Sequence, residues 1–227
     1  VGDRGIVTIC EPLSWGPVAQ VMEIPAGADT TAYTGYDITN EKNLFLNEIF
    51  KGTNRTKAPQ KVLLYRPTAS GSASASATIG SLTATAKYPG VRGNDITIVV
   101  TALTEPENAF SVLTVVDGDT KDTQIVETIA DIKNNDWVVF SGTGELEGSA
   151  GEPLTGGLDG TVATAAYTAY LNAIEPYRFD VIVYDGTDTT VESTMEAFVK
   201  RIVEESGIWA QLVTSNGTSP DSQYEKL

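Results

Sequence analysis

The sequence predicts an α/β core, with a mixed and partly parallel sheet flanked by helices, plus an inserted all-β domain, a small sandwich or barrel. Two observations carry this. At both ends of the chain, continuous apolar runs alternate with segments of helical period, the pattern of strands buried on both faces of a covered sheet. Between them, residues 68–160 switch to short β-type runs separated by turn residues. Residues 1–67 and 161–227 are therefore expected to form one discontinuous domain, and residues 68–160 a second, protruding one.

The elements follow in order. "RGIVTIC" (4–10) reads as a strand, followed by the Pro- and Gly-punctuated loop "EPLSWGP". "NEKNLFLNEIFKG" (40–52) reads as a helix with Asn40 as N-cap, an apolar face of Leu44, Phe45 and Ile49 that could extend to Phe50, and Gly52 as its stop. "KVLLYRP" (61–67) is a buried strand closed by Pro67. In the second half, "TVATAAYTAYLNAIEP" (161–176) presents Tyr167, Tyr170, Leu171 and Ile174 on one helical side, and "RFDVIVYDG" (178–186) is a further strand. "STMEAFVKRIVEESG" (193–207) reads as a helix with Ser193 and Glu196 as a capping box and Gly207 beyond its end. "IWAQLVT" (208–214) completes a βαβ unit.

The middle segment opens on "TASGSASASAT", too small and polar to build a core, which reads as a linker or edge segment. Asp117-Gly118 suits a hairpin turn. "TGGLDG" (155–160) reads as a flexible return to the α/β domain. "KYPGVRGNDI" (87–96) sets chain-breaking residues and charge just ahead of a strand, and could be either a binding loop or a joint.

The chain of 227 residues carries 15 Lys+Arg against 30 Asp+Glu, a net charge of −15. That disfavours nucleic acid and anionic lipid as partners, since both are held by basic residues. Residues 68–162 hold 4 basic and 13 acidic residues, the most acidic part, as expected of a solvated protrusion. No run reaches the roughly 20 apolar residues of a membrane span. Cys10 is the one cysteine and lies in an apolar run, so it reads as a small core residue, consistent with folding in a reducing cytoplasm. The start on Val1 and the polar stretch after residue 213 read as those of a piece of a longer polypeptide.

The chain has no His, which removes Ser-His-Asp and Cys-His catalysis and the histidine zinc motifs. Neither glycine-rich phosphate loop occurs. "VIVYDGTDTT" (181–190) resembles the aspartate phosphatase pattern, but its nucleophile position holds Val183. Asp185 and Asp188 could touch a metal, yet acidic residues in a Gly/Thr turn are commonly turn chemistry. "DGDTKD" (117–122) lacks the calcium-loop order. "NRT" (54–56) and "NGT" (216–218) match the glycosylation sequon without a secretion signal, and Trp15, Trp137 and Trp209 have no basic patch for base stacking. No catalytic, cofactor-binding or metal residue is assigned, and no enzyme activity is expected.

Several of these stretches together resemble one family. "RGIVTICEPLSWGPVAQVMEI" (4–24), "APQKVLLYRP" (58–67), "ATAKYPGVRGNDITIVV" (84–100) and "LTGGLDG" (154–160) followed by "RFDVIVYDG" are similar, in order, to segments of contractile phage tail sheath proteins of Gram-positive phages and prophages. The resemblance implies a virion structural protein assembled in the host cytoplasm, which polymerises around a tail tube and contracts for genome ejection. Its implied partners are copies of itself, tail tube and baseplate proteins, with no cofactor, no nucleic acid and no membrane anchoring. It also implies a further C-terminal domain and terminal arms that this sequence lacks, so the chain alone is expected to be a monomer. The alternative reading is a binding or adhesion module built on the inserted β domain. Within the resemblance, residues 87–96 are a joint: Pro89 and Gly90 shape a turn and Gly93 supplies an unusual backbone angle.

Overall fold

A computed structural model describes residues 5–52 and 57–215. Both sequons lie outside the described residues. The chain divides into two units. One takes in residues up to Pro12, Pro17–Ala69 and the chain from Val162 onward; the other takes in Leu13–Gly16 and Ser70–Thr161.

The first unit is a five-stranded mixed sheet. β1 (Ile6–Cys10) lies between two parallel neighbours, β3 (Lys61–Tyr65) and β11 (Val181–Tyr184). β12 (Gln211–Thr214) extends the sheet in parallel beside β11, and β2 (Val21–Pro25) closes the other edge antiparallel to β3. The apolar runs are continuous because both faces are covered. Leu63 and Tyr65 enter one cluster with α3 (Thr164–Ile174) and α4 (Thr189–Ser206), while Val62 and Leu64, on the alternate face, are equally buried. One polar link crosses this core: Thr8 Oγ1 donates to the Leu63 carbonyl at 3.0 Å and shares a hydrogen bond with the buried Tyr170 hydroxyl at 2.9 Å. Asp180 fastens the other end, its carboxylate accepting the Ile6 N–H at 2.7 Å while its own N–H donates back to the Ile6 carbonyl.

Two helices differ from expectation. α4 begins at Thr189, capped by Asp188, whose carboxylate accepts the Thr190 N–H. Ser193 is therefore no cap; its hydroxyl donates to the Thr189 carbonyl one turn back. The N-cap five residues upstream wins because the Asp188 carboxylate satisfies an N–H of the first turn. The helix around residue 45 is a 3-10 turn (Glu41–Asn43) running into α2 (Leu44–Phe50), with Asn40 accepting the Lys42 N–H as expected. The 3-10 start rotates the buried face: Leu46 is buried and Leu44 is exposed. Asn43 is buried instead, its amide donating to the carbonyls of Tyr36 and Asp37 next to the short α1 (Thr31–Thr34).

The second unit closes two antiparallel sheets over one apolar core. One sheet has the order β10-β6-β7-β8 (β6 Ile96–Ala102, β7 Phe110–Val116, β8 Asp119–Val126, β10 Ser149–Pro153). The other has the order β4-β5-β9 (β4 Ser76–Ile79, β5 Leu82–Ala86, β9 Val138–Gly142). Asp117 and Gly118, both at positive φ, turn β7 into β8.

Of the two readings of the serine- and alanine-rich stretch, the edge segment is the one found, since it runs into β4, an edge strand of its sheet. Ser70, Ala73 and Ser76 form bridges with Thr161, Leu158 and Thr155, and Ala75 is fully buried. "TGGLDG" is therefore paired, not a flexible return. Small residues are needed there because the backbones come so close. A Cβ on Gly93 would stand 2.8 Å from that of Ala86 and 3.0 Å from that of Ala75, and one on Gly157 would meet the Gly90 carbonyl oxygen at 2.4 Å. Gly93 is thus required for space. The unusual angle belongs to Gly90, at φ +132°.

Leu13–Gly16 also depart from the predicted boundary, which placed them in the α/β domain. Trp15 is buried in the β unit, edge-on to Tyr88 at 5.3 Å and 5.0 Å from Trp137. An indole with so much apolar area goes where a core can cover it.

Two glycines of the β unit separate these effects. Gly90→Ala would place a Cβ 2.0 Å from the Ser14 carbonyl oxygen and should cost about 3 kcal/mol or more. Gly118→Ala faces open space and should cost only about 1 kcal/mol, for its positive φ. Urea unfolding of both variants checks this; equal costs would contradict the close approach at Gly90.

Candidate functional site at the carboxyl end of the parallel sheet

In parallel sheets, chemistry gathers beyond the carboxyl ends of the strands. Here those ends belong to β1 and β11, which pair from Val7↔Val181 to Ile9↔Val183 and deliver Glu11 and Asp185 side by side. The Glu11 N–H still donates to the Tyr65 carbonyl at 3.0 Å, so this residue is the last rung of the ladder to β3. Its Oε2 is buried and faces no hydrogen-bond donor. Burial, then the charge and side-chain contact of Asp185, push the Glu11 carboxyl up to about 8. Burial likewise raises Cys10 and Tyr167 well above their ordinary ranges, so neither is a ready nucleophile or base.

Of the candidate carboxylates, Asp188 has structural partners. Asp188 caps α4, accepts a hydrogen bond from the Thr164 hydroxyl at 3.3 Å, and is held below the usual carboxylate range first by the Thr190 N–H. Its own N–H donates to the Tyr184 hydroxyl at 3.1 Å. The carbonyls of Asp185 and Gly186 accept the Ser215 hydroxyl. This arrangement turns the chain from β11 into α4. Among the described residues no group of three or more His, Cys, Asp or Glu side chains could hold a metal ion. Glu11 was missed in the sequence because nothing local distinguishes a glutamate after an apolar run; its partner is more than 170 residues away.

The stretch from Tyr88 to Asp95, the other candidate, is a joint. Residues Val91–Asp95 form a 3-10 turn whose Arg92 is buried, with its guanidinium 5.6 Å from the Trp137 ring. Arg92 donates twice to Asp117, at 2.8 and 2.6 Å, and once to Asp95 at 3.0 Å, and its hydrogen bonds hold Asp117 below the usual carboxylate range. Asn94 donates to the Gly157 carbonyl and accepts the Gly157 N–H. Asp159 accepts both the Val91 N–H and the Ser14 hydroxyl. Arg92, Asn94 and Asp159 thus spend their hydrogen bonds on the fold.

The site's chemistry is tested in two ways. Tyr184→Phe removes the acceptor of the Asp188 N–H and should destabilise by about 1 kcal/mol. Isothermal titration with Mg²⁺ or Ca²⁺ should give no micromolar binding; binding that disappears in Asp185→Asn would restore a metal role for this turn.

Comparison with known proteins places the architecture. Residues 69–159 match the model for the phage tail sheath protein beta-sandwich domain, and residues 4–66 the model for the domain III N-terminal region of the tail sheath protein Gp18. Two proteins of Bacillus subtilis (strain 168), YqbK and the phage-like element PBSX protein XkdK, are 33% and 32% identical over 95% of this chain. A sheath tail protein from Desulfitobacterium hafniense superposes over 93% of the chain with TM-score 0.87 at 41% identity. One from Listeria innocua does so over 93% with TM-score 0.79 at 30% identity. The chain spans about half the length of each, 49% of both Bacillus proteins and 49% and 48% of the two structures. The chain belongs to the phage tail sheath family.

Proposed function

Proceeding from that membership, we propose that the chain is part of a contractile sheath subunit whose work is mechanical. Subunits stack around a tail tube as a metastable extended polymer, then slide into a shorter, wider one and drive the tube through the host envelope. The free energy comes from better subunit contacts in the contracted state, with no bond made or broken. Tube and baseplate proteins are the partners besides copies of the subunit, and assembly takes place in the host cytoplasm before the sheath joins the virion tail.

The observation that carries this reading is that sheath-domain models match segments of both units, in chain order, while a sheath tail protein superposes over nearly the whole chain. The β unit itself matches a sheath domain, so an adhesion role for it is not favoured. Since the chain spans about half of its relatives, it is expected to sediment alone as a monomer. The net charge of −15 adds repulsion between copies at low salt.

A chimera provides the test. The matched half of the Desulfitobacterium hafniense sheath tail protein is replaced by this chain, and the product is examined by sedimentation and negative-stain microscopy. Tubular polymers are expected from the chimera and none from the chain alone. A folded chimera that stays monomeric would count against the proposal.

A further inference from the structure

The carboxyl end of the first unit's sheet holds two acidic side chains that the sheath reading does not use. Glu11 and Asp185 leave adjacent paired strands, and the buried Glu11 Oε2 has no donor facing it. A carboxylate buried without a donor is costly, whereas a protonated carboxyl becomes a donor itself and can bond to the carboxylate beside it. Among the described neighbours that shift Glu11, none is a cation. Cys10 on β1, Tyr167 on α3, and Tyr184 and Asp185 at the end of β11 are neutral or acidic. Tyr65 on β3 adjoins Cys10, and Arg66 after it is buried with interactions of its own.

We infer that Glu11 and Asp185 form a proton-dependent latch: a protonated Glu11 donates to Asp185 and holds the ends of β1 and β11 together, and loss of that proton loosens this end of the sheet.

The direction follows from where the proton is held more tightly. In the unfolded chain Glu11 has an ordinary glutamate acidity, about 4.3. In the folded chain burial and Asp185 raise it to about 8. The latch is thus complete below the ordinary glutamate range, weakens as pH rises through neutrality, and is lost above the folded value. The rest of the chain adds few side chains that titrate in this window. It contains no His, and burial lifts Cys10 beyond it.

The test is thermal unfolding of the full chain from about pH 5 to about pH 9, beside Glu11→Gln, with a carbon-13 titration of the glutamate carboxyls. The wild-type midpoint should fall as pH rises and level off near the top of the range, and Glu11→Gln should flatten that profile. One glutamate carboxyl should titrate near the top of the window and vanish from the spectrum of the variant. Parallel profiles for the two proteins would overturn the latch. If Glu11→Gln does not fold, the wild-type titration decides alone: no glutamate titrating above about pH 6.5 would overturn it equally.

Discussion

The β unit depends on a four-residue segment that comes from far away in the chain. Leu13–Gly16 join strands that begin more than 60 residues later, and Trp15 fills the core beside Tyr88 and Trp137. Much of the unit's sequence answers to that guest. Gly90 is a glycine because the Ser14 carbonyl oxygen occupies the place of its Cβ. Asp159 takes the Ser14 hydroxyl and the Val91 N–H together, fixing the incoming backbone and the turn beneath it. Trp137, packed on Trp15, is also the ring beside the buried Arg92 guanidinium. A desolvated guanidinium is tolerable there because its donors meet two carboxylates, Asp117 and Asp95.

This arrangement explains why the stretch around Gly90 reads so much like a ligand loop. Chain breakers, exposed-looking charge and an adjoining strand are what a binding loop needs, and also what a tight joint between discontinuous segments needs. The difference lies in whether the polar groups point outward or are consumed internally. Arg92, Asn94 and Asp159 are each consumed, by partners between 3 and about 145 positions away.

Much of this was legible in the sequence, and the rest fails for identifiable reasons. The buried strands stood out because apolar runs such as "VLLY" and "VIVY" need cover on both sides, and the Asp117-Gly118 hairpin because few other dipeptides accept positive φ in succession. The Ser193 cap was misread because the capping-box pattern is common within helices, and only the fold reveals the competing Asp188. The small-residue stretch from residue 68 leaves linker and edge segment open because size alone does not distinguish chain that packs nowhere from chain that packs very closely. Trp15 was placed in the wrong unit because local sequence cannot say which core an indole enters. The Glu11–Asp185 pairing was invisible for the same reason: it is made by strand order, not by spacing.

The most direct measurement of this account is the stability and hydrogen exchange of Trp15→Ala. If Leu13–Gly16 complete the β unit, the truncation opens a cavity in its core, costs about 3–5 kcal/mol, and strips protection from the amides of β5 and β9 while those of β1 and β11 stay protected. A loss below about 1 kcal/mol with unchanged protection in β5 and β9 would mean that the segment merely rests on the unit, and the account would be wrong.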